Sequence, residues 1–247
     1  MALIDFIRDR APELRAVFED LHRHPEIGFQ ERRTAGIVEG LLRQWGFDEV
    51  HTAIGETGVV GVLHGKGQGN RRIGLRADMD ALPIKEATGA DYASQVEGAM
   101  HACGHDLHMA AGIGAAHLLA THKDKVNGDV IIWFQPGEEG HHGADVMIEE
   151  GMLQVSGQRP VAAYGLHVFT SLPLGVIACK PGPMMASAGD LIVKFHGSGG
   201  HGSMPWLSKD PVSPMVEAIA ALQNLLNKSF DQFDPVILNV GWIRAGD

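Results

Sequence analysis

The chain has 247 residues, 45% hydrophobic and 20% charged, so it carries enough apolar material for a core and is neither disordered nor fibrous. Twenty basic against thirty acidic side chains leave a formal net charge of −10, which repels a phosphate backbone and an anionic bilayer, so neither nucleic acid nor a membrane is an expected partner. Two cysteines cannot build a disulfide framework and suit a reducing cytosol, while fourteen histidines exceed ordinary surface use and 32 glycines imply tight turns.

The amino-terminal segment, with Asp5, Arg8, Asp9 and Arg10, lacks an apolar signal core and a cleavage pattern, and a cytoplasmic location is expected. No stretch approaches the ~18–20 apolar residues of a membrane span. Ile4, Ile7, Leu14, Val17, Phe18 and Leu21 mark one face of a first helix, closed at His24-Pro25. A second spans Thr34 to Trp45, with Gly46 as its stop. Short apolar runs at Val59–Leu63, Ile73–Leu75, Val130–Phe134 and Val161–Leu166 have strand length, and a helix is expected from Leu107 to Leu119. The third run is apolar on both faces, as in a strand covered by helices on both sides. Alternating strands and helices predict an α/β sandwich on a mostly parallel or mixed sheet. Gly65-Lys66-Gly67-Gln68-Gly69 opens no helix and is expected to be a hairpin-type connection rather than a phosphate loop.

The breaker cluster Pro181-Gly182-Pro183 divides a first domain, 1–183, from a second, 184–247. In the second, Leu191, Val193 and Phe195 alternate like a half-buried strand, a helix covers roughly Pro214 to Leu226, and Pro235 to Ile243 predicts another strand. Three elements make a poor stand-alone domain, so this unit is expected to be incomplete.

The run His101-Ala102-Cys103-Gly104-His105-Asp106-Leu107-His108 crowds groups able to bind a metal or orient a ligand. On a helix Cys103 and His105 would diverge by about 200°, but from a loop bent at Gly104 both reach one ion. A helix start with solvated histidines fits the same residues. Gln135-Pro136-Gly137-Glu138-Glu139-Gly140 lies just past the carboxyl end of the 130–134 strand, the edge where open α/β sheets bind ligands. Of two adjacent carboxylates, one can hold a metal while its neighbour takes a proton from water and returns it to a leaving amine. A solvated acidic turn is the plain alternative. His167 follows the 161–166 run, and Arg76-Ala77-Asp78-Met79-Asp80 follows the 73–75 run. Three strand ends bearing such groups, with Cys103 and His105, make a metallohydrolase site the best single account. His108 is expected to pack or hydrogen-bond nearby rather than ligate, His141 and His142 flank the Glu-Glu loop, and Cys179 is expected to be a small buried hydrophobe.

Arg76 to Pro83, Met100 to Asp106, Gln135 to Glu139 and Gly199-Gly200-His201-Gly202 occur in an order that resembles the hippurate hydrolase and indole-acetyl-amino-acid hydrolase branch of the aminoacylase/carboxypeptidase-type dinuclear metallohydrolases. The likeness runs from the His22–Glu26 region to the end of the chain. It implies a mixed-sheet α/β/α catalytic domain with a smaller α+β, ferredoxin-like lid and dimerisation domain, incomplete here. It further implies that Cys103, His105, Glu139 and His167 hold two divalent ions, that Glu138 is the general base, and that Asp80 orients a metal-site group. His201 matches a histidine that reaches a partner subunit's site and steadies the oxyanion, so a homodimer through the second domain is expected. Thiolate, imidazole and carboxylate together suit zinc, nickel or cobalt, and the resemblance adds manganese.

The implied reaction is hydrolysis of an N-acyl or N-aroyl amino acid. A dipeptidase or an N-acetyl-diaminopimelate deacetylase would use the same site. Relatives of this branch continue further and return a fifth ligand, a histidine, for which no residue here corresponds. A truncated, inactive metal-binding remnant is therefore the alternative of a different class.

Overall fold

Apolar stripes account for the first two helices of the structure, a computed structural model that describes residues 3–185, 187, 189–231, 233 and 236–245. Helix α1 (Leu3–Arg23) buries Phe6, Leu21 and His22. Helix α2 (Arg32–Gln44) buries Thr34, Val38 and Leu42, spaced four apart on one face. Its first turn is capped from outside: the Glu26 carboxylate accepts the N–H groups of Arg33 at 3.0 Å and Thr34 at 2.8 Å. Gly46, at φ 74°, donates its N–H to the Arg43 carbonyl and ends the helix.

Five strands follow: β1 (Glu49–Ile54), β2 (Gly58–His64), β3 (Arg72–Asp78), β4 (Asp129–Gln135) and β5 (Ala162–Gly165). They form one mixed sheet in the order β1-β2-β4-β3-β5. The β1/β2 and β2/β4 pairs are antiparallel, the β4/β3 and β3/β5 pairs parallel. Between β3 and β4 runs α3 (His105–Thr121), and after β4 comes the short α4 (Gly143–Glu149).

Strand alternation divides β4 between two cores. Val130, Ile132 and Phe134 join Leu21, Val38, Met109 and Ile113 from the helices of one face. Ile131 and Trp133 join Val60, Val62 and Met147 on the other. The apolar run expected to be covered on both sides is covered on both sides. Gly74, on β3, lets the Trp133 indole lie flat across the sheet, since a Cβ there would sit 2.1 Å from the ring.

The loop Gly65–Gly69 is not a hairpin, because β4 inserts between β2 and β3. The loop runs over the strand's start instead, with Gly65 N–H donating to the Gly128 carbonyl and Gly67 N–H to that of Val126. Strand β1 has no counterpart in the expected elements. Its Glu49, His51 and Thr52 carry no apolar pattern, and its pairing is set by the turn into β2. Cys179 is exposed, against the expectation of burial.

By contact the chain divides into two compact units, Met1–Lys180 and Pro181–Asp247. The second holds α5 (Val212–Ser229) and an isolated bridge between Ser198 and Lys209. Strands expected around 191–195 and across 236–243 do not form among the described residues; Pro235 lies outside them. Leu191 and Ile192 are 68% and 79% exposed, and an alternating run without a ladder partner is not a strand, whatever its propensity. Among the described residues no helix is long and apolar enough to cross a membrane.

Candidate metal centre

Because β3, β4 and β5 are parallel, their carboxyl ends open on one side of the sheet, and each continues directly into a residue of interest. Asp78 closes β3, with Asp80 two residues on; Glu138 and Glu139 follow β4; His167 follows β5. The fourth contribution comes from the start of α3. Gly104 stands at φ 83° immediately before His105, turning the chain so that Cys103 and His105 approach the same space. A Cβ on Gly104 would meet the Val168 side chain at 2.4 Å.

Three overlapping sets of donors result. Ligand atoms of Cys103, His105 and His167 lie within 4.8 Å of one another, as do those of His105, Glu138 and Glu139 and those of Asp78, His105 and His108. Cys103 Sγ is 3.4 Å from His167 Nε2, and His105 Nε2 is 3.8 Å from both Glu138 Oε2 and Glu139 Oε1. The structure thus places five of the seven residues singled out in the sequence in donor sets that share His105, and hydrogen-bonds a sixth, Asp80, to that histidine.

The hydrogen bonding around these donors is that of a cation site. His105 Nδ1–H donates to the Asp80 carbonyl at 2.9 Å and to its Oδ1 at 3.2 Å, which assigns the lone pair to Nε2. His167 Nδ1–H donates to the Val168 carbonyl at 2.7 Å, leaving Nε2 toward Cys103. His105 Nε2 and Glu139 Oε1 are buried without a hydrogen-bond partner among the described residues. Buried acceptors facing one another are costly unless a cation lies between them, so the donor set fits divalent metal.

Charge around the site points the same way. Burial pushes the Cys103 thiol up to about 12, and the neighbouring Glu139, Glu138 and Asp78 push in the same direction. Burial, then the charge of Glu139, raises the Glu138 carboxyl above its ordinary range. Burial alone would lower His105, but the hydrogen bond to Asp80 and the charges of Asp78, Asp80 and Glu139 outweigh it and hold the imidazole above its usual value. Asp80 is depressed despite burial, because His105 and the N–H groups of Glu139 and Glu138 stabilise its charged form.

Asp80 belongs to none of the donor sets; it ties His105 to Glu139, whose N–H it accepts at 2.8 Å. His108 forms a third donor set with Asp78 and His105, but both of its ring nitrogens already have partners. Its Nδ1–H donates to Asp78 Oδ1 at 2.6 Å, and its Nε2 accepts the Val168 N–H at 2.9 Å, steadying the residue after His167. Asp78 in turn ion-pairs with Arg76 at 2.7 Å. His141 packs edge-on against Phe29, and His142 is exposed at the start of α4.

His201 lies in the second unit, exposed, with its Nδ1 accepting the Ser203 N–H at 3.2 Å. Two buried groups escaped the sequence reading: His22, between Asp106 at 2.6 Å and Glu86 at 3.3 Å, and Glu31. A cavity of about 340 Å³ opens beside Cys103 and His167, lined also by Phe18, Tyr92, His101 and Phe169.

Residues 74–243 match the family described as Peptidase family M20/M25/M40. The chain is 41% identical over 249 residues to the hippurate hydrolase of Campylobacter jejuni, all of this chain against 63% of that protein. It is 37% identical over 234 residues to the N-acetyldiaminopimelate deacetylase of Bacillus subtilis, covering 95% of this chain and 61% of the relative. Among solved structures, a putative aminohydrolase from methicillin-resistant Staphylococcus aureus superposes with a TM-score of 0.80 at 32% identity, over 97% of this chain and 63% of that one. A dinuclear metal-binding peptidase of Bacillus subtilis gives 0.66 at 38% identity, over 71% and 48%. The chain spans about three fifths of the length of the curated relatives it matches, 61% and 63% for two of them.

Proposed function

The chain belongs to peptidase family M20/M25/M40, and on that premise we propose a metal-dependent amidohydrolase that cleaves N-acyl or N-aroyl amino acids to a carboxylate and a free amino acid. The observation that carries the reading is that the Cys103, His105, His167 set and the His105, Glu138, Glu139 set share His105, with a carboxylate of raised pKa at their edge. Two divalent ions, zinc, manganese, nickel or cobalt, held by Cys103, His105, Glu139 and His167, would polarise the amide carbonyl and acidify the attacking water. Glu138 accepts the proton of that water and delivers it to the leaving amine. A carboxyl lifted above its ordinary range suits both halves of that transfer. Asp80 fixes the ring of His105. His201, with Nδ1 occupied by Ser203, keeps an Nε2–H free to donate to a developing oxyanion. Its place in residues 184–247 supports a lid and dimerisation role for that domain, in a cytoplasmic homodimer.

An aroyl group is favoured by the aromatic lining of the cavity beside Cys103 and His167, and by the likeness to a hippurate hydrolase. The likeness to N-acetyldiaminopimelate deacetylases supports a second reading, with a small acyl group on a longer diamino acid. Hydrolysis of N-benzoylglycine and of N-acetyl-diaminopimelate by the metal-loaded protein decides between them. Glu138→Gln is expected to lower kcat by ~10²–10⁴-fold while metal stays bound, as loss of a general base does. A variant retaining kcat within about threefold removes Glu138 from the chemistry.

A further inference from the structure

Glu31 has no part in the chemistry above, yet it is fully buried, at 0% exposure. It occupies the N-cap position of α2 but makes no side-chain cap, that task falling to Glu26. Its carboxylate turns inward. Oε1 accepts the N–H of Gly137 at 2.9 Å and Oε2 accepts the Thr57 hydroxyl at 2.6 Å.

Gly137 directly precedes Glu138. On the other side of Glu138, Asp80 Oδ2 accepts the N–H of Glu139. The main-chain N–H groups flanking the base are therefore each gripped by a buried carboxylate. The loop is also closed on itself, with Gly143 N–H donating to the Gly137 carbonyl at 2.9 Å and Gly140 N–H to that of Glu138 at 2.8 Å. The chain just before Glu31 packs against the same loop: a Cβ on Gly28 would lie 3.1 Å from Gly137 Cα, and one on Gly137 would lie 3.3 Å from the Phe29 ring.

A buried acid is an expensive way to satisfy one hydroxyl and one N–H. Burial holds Glu31 above the ordinary carboxyl range, and the charge of Asp80 adds to that, against the hydrogen bonds from Thr57, its own N–H and Gly137. Packing alone is served as well by an apolar side chain, so the acceptor offered to the Gly137 N–H is what this residue adds.

We propose that Glu31 is a positioning residue for hydrolysis: through the Gly137 N–H it fixes where Glu138 points, and Asp80 holds the loop's other end. This rests on Glu138 as the general base. Glutamine at this position can keep its carbonyl oxygen on Gly137 while its NH₂ faces the Thr57 oxygen, which rotates to accept. Alanine cannot.

The test uses the full chain, metal-loaded, with N-benzoylglycine. Glu31→Ala should lower kcat ~10–100-fold with KM within about twofold, and Glu31→Gln should recover kcat to within about threefold of wild type. Bound metal per chain, by elemental analysis, should not change. In a Glu138→Gln background, adding Glu31→Ala should cost nothing further. Hydrogen exchange read by mass spectrometry should quicken across residues 135–142 in Glu31→Ala and stay unchanged in β2 and in residues 129–134 of β4.

Equal losses in the alanine and glutamine variants, kcat falling only in step with metal or folded protein, or unaltered exchange across 135–142 would each overturn the proposal. If wild type does not cleave N-benzoylglycine, the substrate reading fails on its own, and the exchange measurement still decides the clamp. Should the alanine variant not fold, Thr57→Val, which frees one Glu31 oxygen, should quicken exchange across the same residues; no change there overturns the proposal equally.

Discussion

Replacing Asp80 with asparagine exchanges one carboxylate oxygen for an NH₂ while leaving the shape unchanged. Two N–H groups now share that carboxylate: His105 Nδ1–H at 3.2 Å on Oδ1 and Glu139 N–H at 2.8 Å on Oδ2. The asparagine oxygen can serve only one of them. His105 also donates to the Asp80 main-chain carbonyl at 2.9 Å, so the oxygen goes to Glu139 and the NH₂ meets the imidazole N–H. The ring must then tilt away, carrying Nε2 out of line with Glu139 and Cys103, or move its proton to Nε2 and lose its ligand lone pair.

The loss of one charge-assisted hydrogen bond is worth about 1.5–3 kcal/mol. An outer-sphere partner of a ligand histidine typically accounts for ~10–100-fold in metal affinity, about 1.4–2.7 kcal/mol, and the two figures agree. Zinc affinity measured by competition with a chromogenic chelator should therefore fall ~10–100-fold in Asp80→Asn, with the far-ultraviolet circular dichroism of wild type. A dissociation constant within about threefold of wild type would refute the reasoning, because it would mean that the ring of His105 is held by the carbonyl alone.

Gly74→Ala places a methyl 2.1 Å from the Trp133 ring at the centre of the sheet and should destabilise by ~1–3 kcal/mol, lowering Tm by ~2–4 °C per kcal/mol in a thermal melt; an unchanged Tm would show that the indole can move aside. His64, hydrogen-bonded to Asp129 at 3.0 Å, has its pKa raised by that bond, against partial burial and with the help of the Asp129 and Asp48 charges. A raised folded-state pKa stabilises fully below about pH 6.5 and fades as pH rises through the folded value, so Tm should decline from pH 6 to 8 more in wild type than in His64→Gln.

Local pattern made much of the first unit legible. An unbroken apolar run of strand length such as Val130–Phe134 suits a strand covered on both faces, and the residues just past such strands sit at the open end of a parallel sheet. Cys103 and His105 could be paired because one glycine between them bends the chain. What escaped was set by partners distant in sequence. Glu31 and Gly137 are 106 residues apart, His22 and Asp106 84 apart, and neither pair leaves a periodicity to detect. Strand β1 is only half apolar and is held by its pairing with β2, while the apolar alternation at 191–195 has no such neighbour and stays irregular. Short α4 opens at Gly143, whose Cβ would lie 1.8 Å from the Pro136 carbonyl; that closure is a property of the folded loop and is invisible in a list of residues.

The parallel pairing of β3 with β4 and β5 also orders events as the chain folds. Parallel neighbours cannot be joined by a tight turn; Arg72 and Asp129, partners at the start of the β3/β4 ladder, are 57 residues apart. Such distant pairings are made late and slowly, after closure entropy has been met. Among the donors only Cys103 with His105, and Glu138 with Glu139, are neighbours beforehand, so a cation has no more than partial sites to seize on the unfolded chain. With the proposed ligand set, metal capture would follow assembly of the sheet rather than direct it, leaving hydrophobic burial as the main drive toward the native topology.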